Sequence, residues 1–535
     1  MSVAVGTFLA VIAVVAAVAV LYVPNVGTSP EQVAAEHRAG PGGSSGEESP
    51  ADPSADGSTD AATDAPGGGD GTGASTGAAG APAVTGGRPV AAPPVASSSK
   101  KVFAHYFPPY PVSFDNADPS RDYYARNYLT VDGESGKHAE YGGLLRDRPA
   151  PRAPLSGDWR AKDFQSEVQA AVAAGIDGFT INIMSLAGDN WTRTVGVTRA
   201  AEASGRGFVI IPNVDANGSV GSASAATVAA KLADLLRSPA AYRLPDGRPV
   251  LSSFKAEGKD PSWWRDILSH LRSDHGLNVA FIAVFLNANS TNMQRFSDFS
   301  HGFGNWGVRT PRSIDNAANY AAAAHNLGKV WMQPVAVQDV RPNQYKYAEA
   351  GNTEALRASW NKAIRDGADL VQMVTWNDYS EGTQFAPSAA HGRVFLDITA
   401  YYVHQFKTGS APAIASDALF VTHRIQPYGA QPTTAHGLMQ PTLEGSSATQ
   451  PRDTVEALVM LTAPARVTVT IGGRVESFDA PAGVSARTFP LGQGTISAKV
   501  ERSGGVVVAV TSPFPVVARP DVQDLQYYAV SSVRG

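Results

Sequence analysis

The feature that most constrains the fold is an eightfold alternation of short apolar runs with longer Ala- and Leu-rich stretches between residues 101 and 409. The apolar runs have the length of buried strands, and the stretches between most of them have helical periodicity. The predicted strands are Val102–Phe107, Gly178–Met184, Gly207–Val214, Pro249–Phe254, Val279–Leu286, His301–Trp306, Lys329–Val335 and Leu370–Trp376. Eight such units predict an α/β fold, a (β/α)8 TIM barrel.

The helices between these strands have recognisable ends. Asp260 before Pro261 is a favourable start, because aspartate caps a helix N-terminus and proline suits its first turn. The predicted helices are Ala161–Ala174, Thr192–Ser204, Ala223–Arg237, Pro261–Asp274, Ser313–Leu327, Thr353–Asp366 and Phe395–Phe406. The segment from Pro108 to Trp159 is too polar and irregular for core, and is predicted to be a long loop at the barrel rim.

The pattern changes after residue 409 to short alternating β runs separated by turns such as Gly472-Gly473. The predicted strands are Leu458–Leu461, Arg466–Ile471, Val475–Phe478, Ala486–Pro490, Gly494–Val500, Val506–Val510 and Val516–Val517. Residues 410–535 are therefore predicted to form a β-sandwich domain. All eight Trp lie between Trp159 and Trp376, so both packing against the barrel and carbohydrate binding remain open as roles for this domain.

The N-terminus predicts export. Val3 to Val23 is a run of 21 residues without a charge, longer than the apolar part of most signal peptides, roughly 7–15 residues. Residues 1–23 are therefore predicted to be an N-terminal transmembrane anchor rather than a cleaved signal peptide. Residues 24–100 contain no Phe, Trp or Tyr, and are predicted to be a disordered linker. The folded part would then act outside the cell or at its surface, tethered by the N-terminal segment.

Composition excludes several classes of function. The chain has no cysteine, which excludes disulfides, thiol chemistry and thiolate zinc sites. Its net charge of -5 gives no electrostatic basis for binding nucleic acid. Phosphate-binding loops, histidines at metal-ligand spacing and the G-x-S-x-G motif of serine hydrolases are also missing from the sequence. We expect no metal, no cofactor and a monomeric protein.

The ends of the predicted strands are rich in amides, aromatic rings and carboxyl groups. Catalytic and binding residues of a TIM barrel lie at this C-terminal rim, and this mixture suits a neutral, hydroxyl-rich ligand. The candidate substrate-binding residues are His105, Tyr106, Asn182, Asp215, Glu257, Trp306, Gln333, Trp376, Asn377 and Tyr379. Three have other possible roles: His105 as a core histidine, Asp215 as a helix cap, and Glu257 as a partner of Lys255.

The candidate catalytic residues are Asp378 and Glu381, which lie three residues apart just after the eighth predicted strand. Hydrolysis of a glycosidic bond commonly uses a pair of carboxyl groups. Helix capping is the alternative role, but Trp376, Asn377 and Tyr379 on the same turn favour a sugar site. A non-catalytic carbohydrate-binding surface protein is the alternative function, and it would not need both carboxyl groups.

Three segments carry a resemblance to a known family. Val102–Tyr106 (VFAHY), Gly175–Ile183 (GIDGFTINI) and Thr375–Glu381 (TWNDYSE) resemble motifs of glycoside hydrolase family 71, the α-1,3-glucanases called mutanases, over residues 101 to 409. The resemblance implies a (β/α)8 barrel followed by a β-sandwich, inverting endo-hydrolysis of α-1,3-glucan, and no cofactor. It also implies that Asp378 and Glu381 are the essential carboxyl groups.

The run Glu381-Gly382-Thr383 departs from that family and resembles family 99, the endo-α-mannosidases and endo-mannanases. An α-mannan or another α-linked polysaccharide is therefore the alternative substrate. For an inverting enzyme we assign Glu381 as general acid and Asp378 as general base, with the reverse order left open. In a family-99-like variant, the first carboxylate would instead deprotonate the 2-hydroxyl of the sugar.

Overall fold

A computed structural model describes residues 86–90, 98–205, 207–444 and 447–534 of the chain. Its centre is a closed barrel of eight parallel strands in the order β1-β10-β7-β6-β5-β4-β3-β2. These strands are β1 (Lys101–Tyr106), β2 (Gly178–Ile183), β3 (Val209–Asp215), β4 (Val250–Phe254), β5 (Ala280–Phe285), β6 (Gly302–Asn305), β7 (Val330–Val335) and β10 (Leu370–Met373). The predicted (β/α)8 barrel is confirmed, and every predicted strand is present within a few residues of its expected bounds.

Helices surround the barrel. They are α1 (Trp159–Ala173), α2 (Gly188–Ala203), α3 (Ala225–Arg237), α4 (Pro261–Ser273), α5 (Ser290–Phe296), α6 (Pro311–Asn316), α7 (Tyr320–Asn326), α8 (Glu354–Arg365) and α9 (Val394–Thr408). The Asp260 side chain accepts a hydrogen bond from the Ser262 amide, as expected for the N-cap of α4. The single helix predicted over Ser313–Leu327 is wrong, because a non-helical Ala317 separates α6 from α7. Helix α5 was missed, since seven residues carry little periodicity.

Alternation of side chains along the strands divides the barrel into layers. At the N-terminal end the interior is apolar, with Phe103, Ile211, Ile282 and Met332 packed together. Towards the C-terminal end the inward side chains become polar: the Asn213 amide donates to Ser252 Oγ at 3.2 Å. The polar layer supports the rim, where the predicted site lies.

The long loop after β1 is more ordered than its composition suggested. It contains a π-helical turn, Tyr124–Tyr128, and short helical segments at Gly133–Gly136 and Ala139–Tyr141. Tyr110, Tyr124 and Tyr128 are buried in one aromatic cluster, and Arg148 pairs with Asp122 in its interior. The expectation that this segment contributes no core is therefore wrong, because its tyrosines replace aliphatic residues as the buried groups.

The C-terminal region is rich in β-strands, as predicted. One antiparallel sheet has the order β18-β15-β11-β21 and the other β17-β16-β19-β20. The strands are β11 (Ala418–His423), β15 (Thr454–Leu461), β16 (Ala465–Ile471), β17 (Arg474–Ala480), β18 (Gly483–Pro490), β19 (Ile496–Arg502), β20 (Gly505–Thr511) and β21 (Tyr528–Ser531). Residues of both sheets share one apolar core. Val516 forms only an isolated bridge with Gly494, so the strand predicted at Val516–Val517 is wrong.

Polar contacts fix this β-rich region to the barrel. Glu349, in the loop before α8, accepts from Arg424 Nη2 at 2.9 Å and from the Tyr527 hydroxyl at 2.7 Å. All three side chains are buried. Arg424 and Tyr527 belong to the C-terminal region, so a charged side chain of the barrel depends on partners from the second domain.

A small sheet also joins the two regions at the barrel rim. Strands β8 (Asp339–Arg341) and β9 (Lys346–Ala348) form a hairpin in the loop after β7, and β12 (Gln440–Pro441) pairs with β9. A further two-stranded sheet joins β13 (Leu443–Glu444) to β14 (Ser447–Ala448). The C-terminal region therefore completes a small sheet that begins at the rim of the barrel.

The predicted anchor, residues 1–23, and most of the predicted linker lie outside the described residues. Two described pieces of that linker contact the folded protein. The Gly86 amide donates to Ser532 O at 2.9 Å, and Ser98 Oγ donates to Lys407 O at 3.0 Å, so the packed part of the chain begins before residue 101. Within the described residues, no helix combines the length and the apolar character needed to cross a membrane.

Candidate active site

The turn that follows β10 holds both predicted catalytic carboxyl groups. Thr375 Oγ1 accepts a hydrogen bond from the Asp378 amide at 2.8 Å, and Thr383 donates its amide to Asp378 O at 3.2 Å. The Val340 amide donates to Glu381 O at 2.7 Å. The turn is therefore fixed from within and from the neighbouring hairpin.

One narrow pocket at the centre of the rim brings five of the predicted residues together. Asp378 and Glu381 line it with His105, Asn182 and Trp306. Phe107, Phe254 and Thr375 complete the lining. These residues come from the ends of β1, β2, β4, β6 and β10, so strands distant in sequence supply a single site, as the barrel predicts.

Hydrogen bonds and burial act in opposite directions on the carboxyl group of Asp378. Its Oδ1 accepts from the Ser380 hydroxyl at 2.6 Å and from the amides of Ser380 and Glu381 at 3.1 and 3.2 Å, contacts that favour the ionised form. Burial and, next, the charge of Glu381 raise the pKa of Asp378 to about 8. A carboxyl group that keeps its proton near neutral pH can act as an acid in catalysis.

Glu381 has a different neighbour. Arg341 Nη1 donates to Glu381 Oε1 at 2.7 Å, and the same guanidinium donates from Nε to Asp339 Oδ1 at 2.6 Å and from Nη2 to Oδ2 at 2.5 Å. Burial raises the pKa of Glu381, whereas the charge of Arg341 opposes that shift. Arg341 is bonded to Glu381 and not to Asp378, so its charge stabilises the ionised form of Glu381 more directly than that of Asp378.

Asp339 and Arg341 were missed by the sequence reasoning. Both lie on β8, four and six residues after Val335, where the seventh predicted strand ends. In the sequence, these two residues form an Asp-x-Arg motif next to a predicted rim position. The motif could have been recognised as a carboxylate–guanidinium pair. The contact with Glu381 could not be seen, because it depends on how the hairpin folds.

The three other predicted residues in the pocket supply a hydrogen-bonding group, an aromatic wall and a neutral imidazole. Asn182 Oδ1 is buried and accepts no hydrogen bond from the described residues. The Trp306 ring packs edge-on against Phe254 and His105, with centroids 4.6 and 4.8 Å apart. Burial lowers the pKa of His105 to about 3, so the imidazole is neutral. A buried amide oxygen without a hydrogen-bond donor, beside an aromatic wall, suits a sugar ring.

Tyr106 and Trp376 do not line this pocket, because strand alternation turns them towards the surrounding helices. The Tyr106 hydroxyl donates to Glu167 Oε2 on α1 at 2.7 Å, and Trp376 Nε1 donates to Oε1 of the same residue at 3.4 Å. Trp376 also packs against Phe179. Burial raises the pKa of Glu167 to about 8. These contacts place both aromatics between the barrel and its helices rather than in the pocket.

Gln333, Asn377 and Tyr379 also have structural surroundings. Gln333 Oε1 accepts from Trp331 Nε1 at 2.7 Å on the outer side of β7. Asn377 Oδ1 accepts from the Phe107 amide at 2.7 Å, so it ties the turn after β10 to the loop after β1. Tyr379 is buried in the aromatic cluster of that loop. None of the three lines the pocket.

Asp215 and Glu257 lie at the ends of β3 and β4 but outside the pocket lining. Asp215 Oδ1 accepts from the amide and side chain of Asn217, at 3.1 and 3.2 Å, which is a local turn rather than a cap of α3. Glu257 Oε1 accepts from the Asn287 amide at 2.7 Å and its Oε2 accepts no hydrogen bond from the described residues, so the alternative role as a partner of Lys255 is not seen. Across the part of the chain that the structure describes, no three His, Asp or Glu side chains are grouped as metal ligands.

Comparison with known sequences gives a consistent picture. The model of glycosyl hydrolase family 71 matches residues 155–532. The glucan endo-1,3-alpha-glucosidase agn1 of Schizosaccharomyces pombe is 25% identical over 382 residues, which cover 66% of this chain and 87% of that protein. The mutanase Pc12g07500 of Penicillium rubens is 25% identical over 174 residues, covering 30% and 38% of the two chains.

Solved structures include a GH99 endo-alpha-mannosidase from Bacteroides thetaiotaomicron. It matches with a TM-score of 0.44 and 16% identity, covering 57% of this chain and 97% of the mannosidase.

Proposed function

Since the chain belongs to glycosyl hydrolase family 71 and is therefore a glycoside hydrolase, we propose that it cleaves internal bonds of an α-1,3-glucan. Two relatives support this substrate: the glucan endo-1,3-alpha-glucosidase agn1, and an ascus wall endo-1,3-alpha-glucanase that is 23% identical over 252 residues, covering 44% of this chain and 56% of that one. Polysaccharide hydrolysis outside the cell fits the predicted anchor and linker, which lie in residues 1–100.

The observation that carries the proposal is the meeting of two buried carboxyl groups with unlike surroundings in one pocket. Burial and the charge of Glu381 raise the pKa of Asp378 to about 8, whereas Arg341 donates a hydrogen bond to Glu381. Glycosidic cleavage needs one carboxylic acid to protonate the leaving oxygen and one carboxylate to act on the anomeric side. A pure binding site would gain nothing from keeping such a pair dehydrated, because burying charge is costly.

In the proposed reaction, one carboxyl group gives its proton to the glycosidic oxygen while the other activates water, with inversion at the anomeric carbon. The contacts of the free protein favour Asp378 as donor and Glu381 as base, the reverse of the order assigned from the sequence. Trp306 and Phe254 would form the wall for the sugar ring, and Asn182 Oδ1 would accept from a sugar hydroxyl. Asp215 and Glu257 would contact the chain further along the rim.

The test is release of reducing ends from insoluble α-1,3-glucan by the full chain, with α-mannan, dextran and starch assayed in parallel. We expect release from α-1,3-glucan alone, and nearly complete loss in Asp378→Asn and Glu381→Gln. Proton NMR of the first product would show β-anomer if the enzyme inverts. Release from α-mannan only would show that α-mannan, rather than α-1,3-glucan, is the substrate. An α-anomer as the first product would show that the enzyme does not invert the anomeric configuration.

Substrates with a good leaving group can show which of Asp378 and Glu381 is the acid and which is the base. Cleavage of an α-glucosyl fluoride oligosaccharide needs little proton donation, so the variant of the acid retains more activity on it than the variant of the base. Greater activity of Asp378→Asn supports Asp378 as donor. Greater activity of Glu381→Gln supports the order assigned from the sequence.

A further inference from the structure

A second, larger cavity lies beside the catalytic pocket. Its volume is about 720 Å³, and it runs between the long loop after β1 and the first turns of α1 and α2. Binding sites for organic ligands commonly have volumes of about 300–1,000 Å³. The catalytic pocket is narrow by comparison, so a polymer bound there must leave it along the protein surface.

Phe107 joins the two spaces, because it lines both the pocket and the cavity. The turn that carries Asp378 also braces this junction: Asn377 Nδ2 donates to Phe107 O at 3.0 Å and to Tyr110 O at 2.8 Å. Tyr110 lines the cavity, and its hydroxyl lies close to Ser380 and Asp378. Phe107 and Tyr110 therefore form a common wall between the cavity and the catalytic turn.

The walls of the cavity are rigid. Arg193 Nη1 donates to the backbone oxygens of Pro108 and Pro109 at 3.0 and 3.2 Å. Arg152 donates to both oxygens of Asp163, at 2.6 and 2.7 Å. A site fixed by such contacts loses little entropy when a ligand binds.

The chemistry of the lining points to one class of ligand. Phe114, Tyr123 and Trp159 are half-buried aromatic residues facing the same space. Four carboxyl groups and two guanidinium groups accompany them, a balance that would repel a polyanion. Flat apolar faces beside hydrogen-bonding charges suit neutral sugar rings.

We propose that this cavity binds a stretch of several neutral hexose units on one side of the cleaved bond, an inference that rests on the proposed function. Substrate chains long enough to cross Phe107 would gain contacts that short chains cannot make. The proposal therefore predicts that kcat/KM is higher for long substrate chains than for short ones, which can be measured.

Thr192→Trp tests the proposal by filling the cavity. Thr192 is an exposed residue of α2 that lines it, so the substitution adds volume without removing a core contact. Arg199→Trp is the matched control, because Arg199 is exposed on the same helix but is not part of the lining. Trp159→Ala is the second test variant, since Trp159 belongs to none of the described apolar clusters.

The measurement compares kcat/KM for an α-1,3-glucan chain of about ten units with that for the shortest oligosaccharide that wild-type protein cleaves. We expect the ratio of long to short to fall at least tenfold in Thr192→Trp and Trp159→Ala, and to stay at the wild-type value in Arg199→Trp. The wild-type protein could cleave both substrates while both test variants keep the wild-type ratio of kcat/KM for long and short chains. That result overturns the inference that the cavity binds the glucan chain, and leaves the proposed function intact. A wild-type protein that cleaves neither overturns the proposed function, and the inference with it.

Discussion

Replacing Asp378, one of the two proposed catalytic groups, with asparagine is expected to stabilise the protein, and this gain should grow as the pH rises. Burial and the charge of Glu381 raise the pKa of Asp378 from 3.8 to about 8 in the folded chain. Between these two values the folded state holds a proton that the unfolded state has lost. Folding therefore becomes less favourable with increasing pH over this interval, and an amide escapes that cost because it cannot ionise.

The size of the effect follows from the same shift. One pKa unit is worth about 1.4 kcal/mol, so a difference of about four units gives a gain of roughly 5 kcal/mol at pH 8. The gain falls to roughly 3 kcal/mol at pH 6 and nearly vanishes at pH 4. Asparagine keeps an oxygen that can accept from Ser380, so the turn should retain its hydrogen bonds.

Guanidinium unfolding followed by tryptophan fluorescence is the appropriate assay, because all eight Trp lie in the barrel region between residues 159 and 376. Wild type and Asp378→Asn would be compared at pH 4, 6 and 8. Asp234→Asn is the control, since the Asp234 side chain is 90% exposed on α3 and should change stability little at any pH. A variant no more stable than wild type at pH 8, or equally stabilised at pH 4 and pH 8, would refute the reasoning.

Three further changes have defined outcomes. Arg341→Met removes the cation beside Glu381, so the pKa of Glu381 should rise. The acidic limb of the plot of kcat/KM against pH should then move to higher pH by about one unit or more. An unmoved limb would show that Arg341 does not control the pKa of Glu381. Glu349→Gln leaves the buried Arg424 without its counter-charge and should cost about 3–5 kcal/mol, seen in calorimetry as a lower Tm. Glu167→Ala should cost about 2–4 kcal/mol because two buried donors lose their acceptor. Burial raises the pKa of Glu167 from 4.5 to about 8, so Glu167→Gln should gain roughly 2 kcal/mol at pH 6, measured by the same unfolding assay.

The barrel could be predicted closely from the sequence, because buried parallel strands are continuous apolar runs and their crossovers have helical periodicity. It was harder to predict from the sequence whether each rim side chain points into the barrel or towards the surrounding helices. His105 and Tyr106 are neighbours, yet one faces the pocket and the other contacts Glu167 on α1. Counting strand alternation from the buried Phe103 would have separated them.

Other parts of the site depend on long-range contacts that no local pattern contains. Arg341 reaches Glu381 only because a hairpin folds back over the rim. Two strands of the C-terminal region, Ala418–His423 and Tyr528–Ser531, pair with each other across more than a hundred residues, and neither was predicted. Tertiary pairing of this kind sets short strands more strongly than their own propensity does.

The hairpin at the rim has a consequence for biosynthesis. Its strand β9 pairs with β12, residues Gln440–Pro441, and the Gln440 amide donates to Tyr345 O at 2.8 Å. The hairpin that carries Arg341, which bonds to Glu381, is thus completed by a piece of chain made about a hundred residues later. A nascent polypeptide that has completed only its eight barrel strands lacks this piece, so we expect the small sheet beside Glu381 to be completed late in translation.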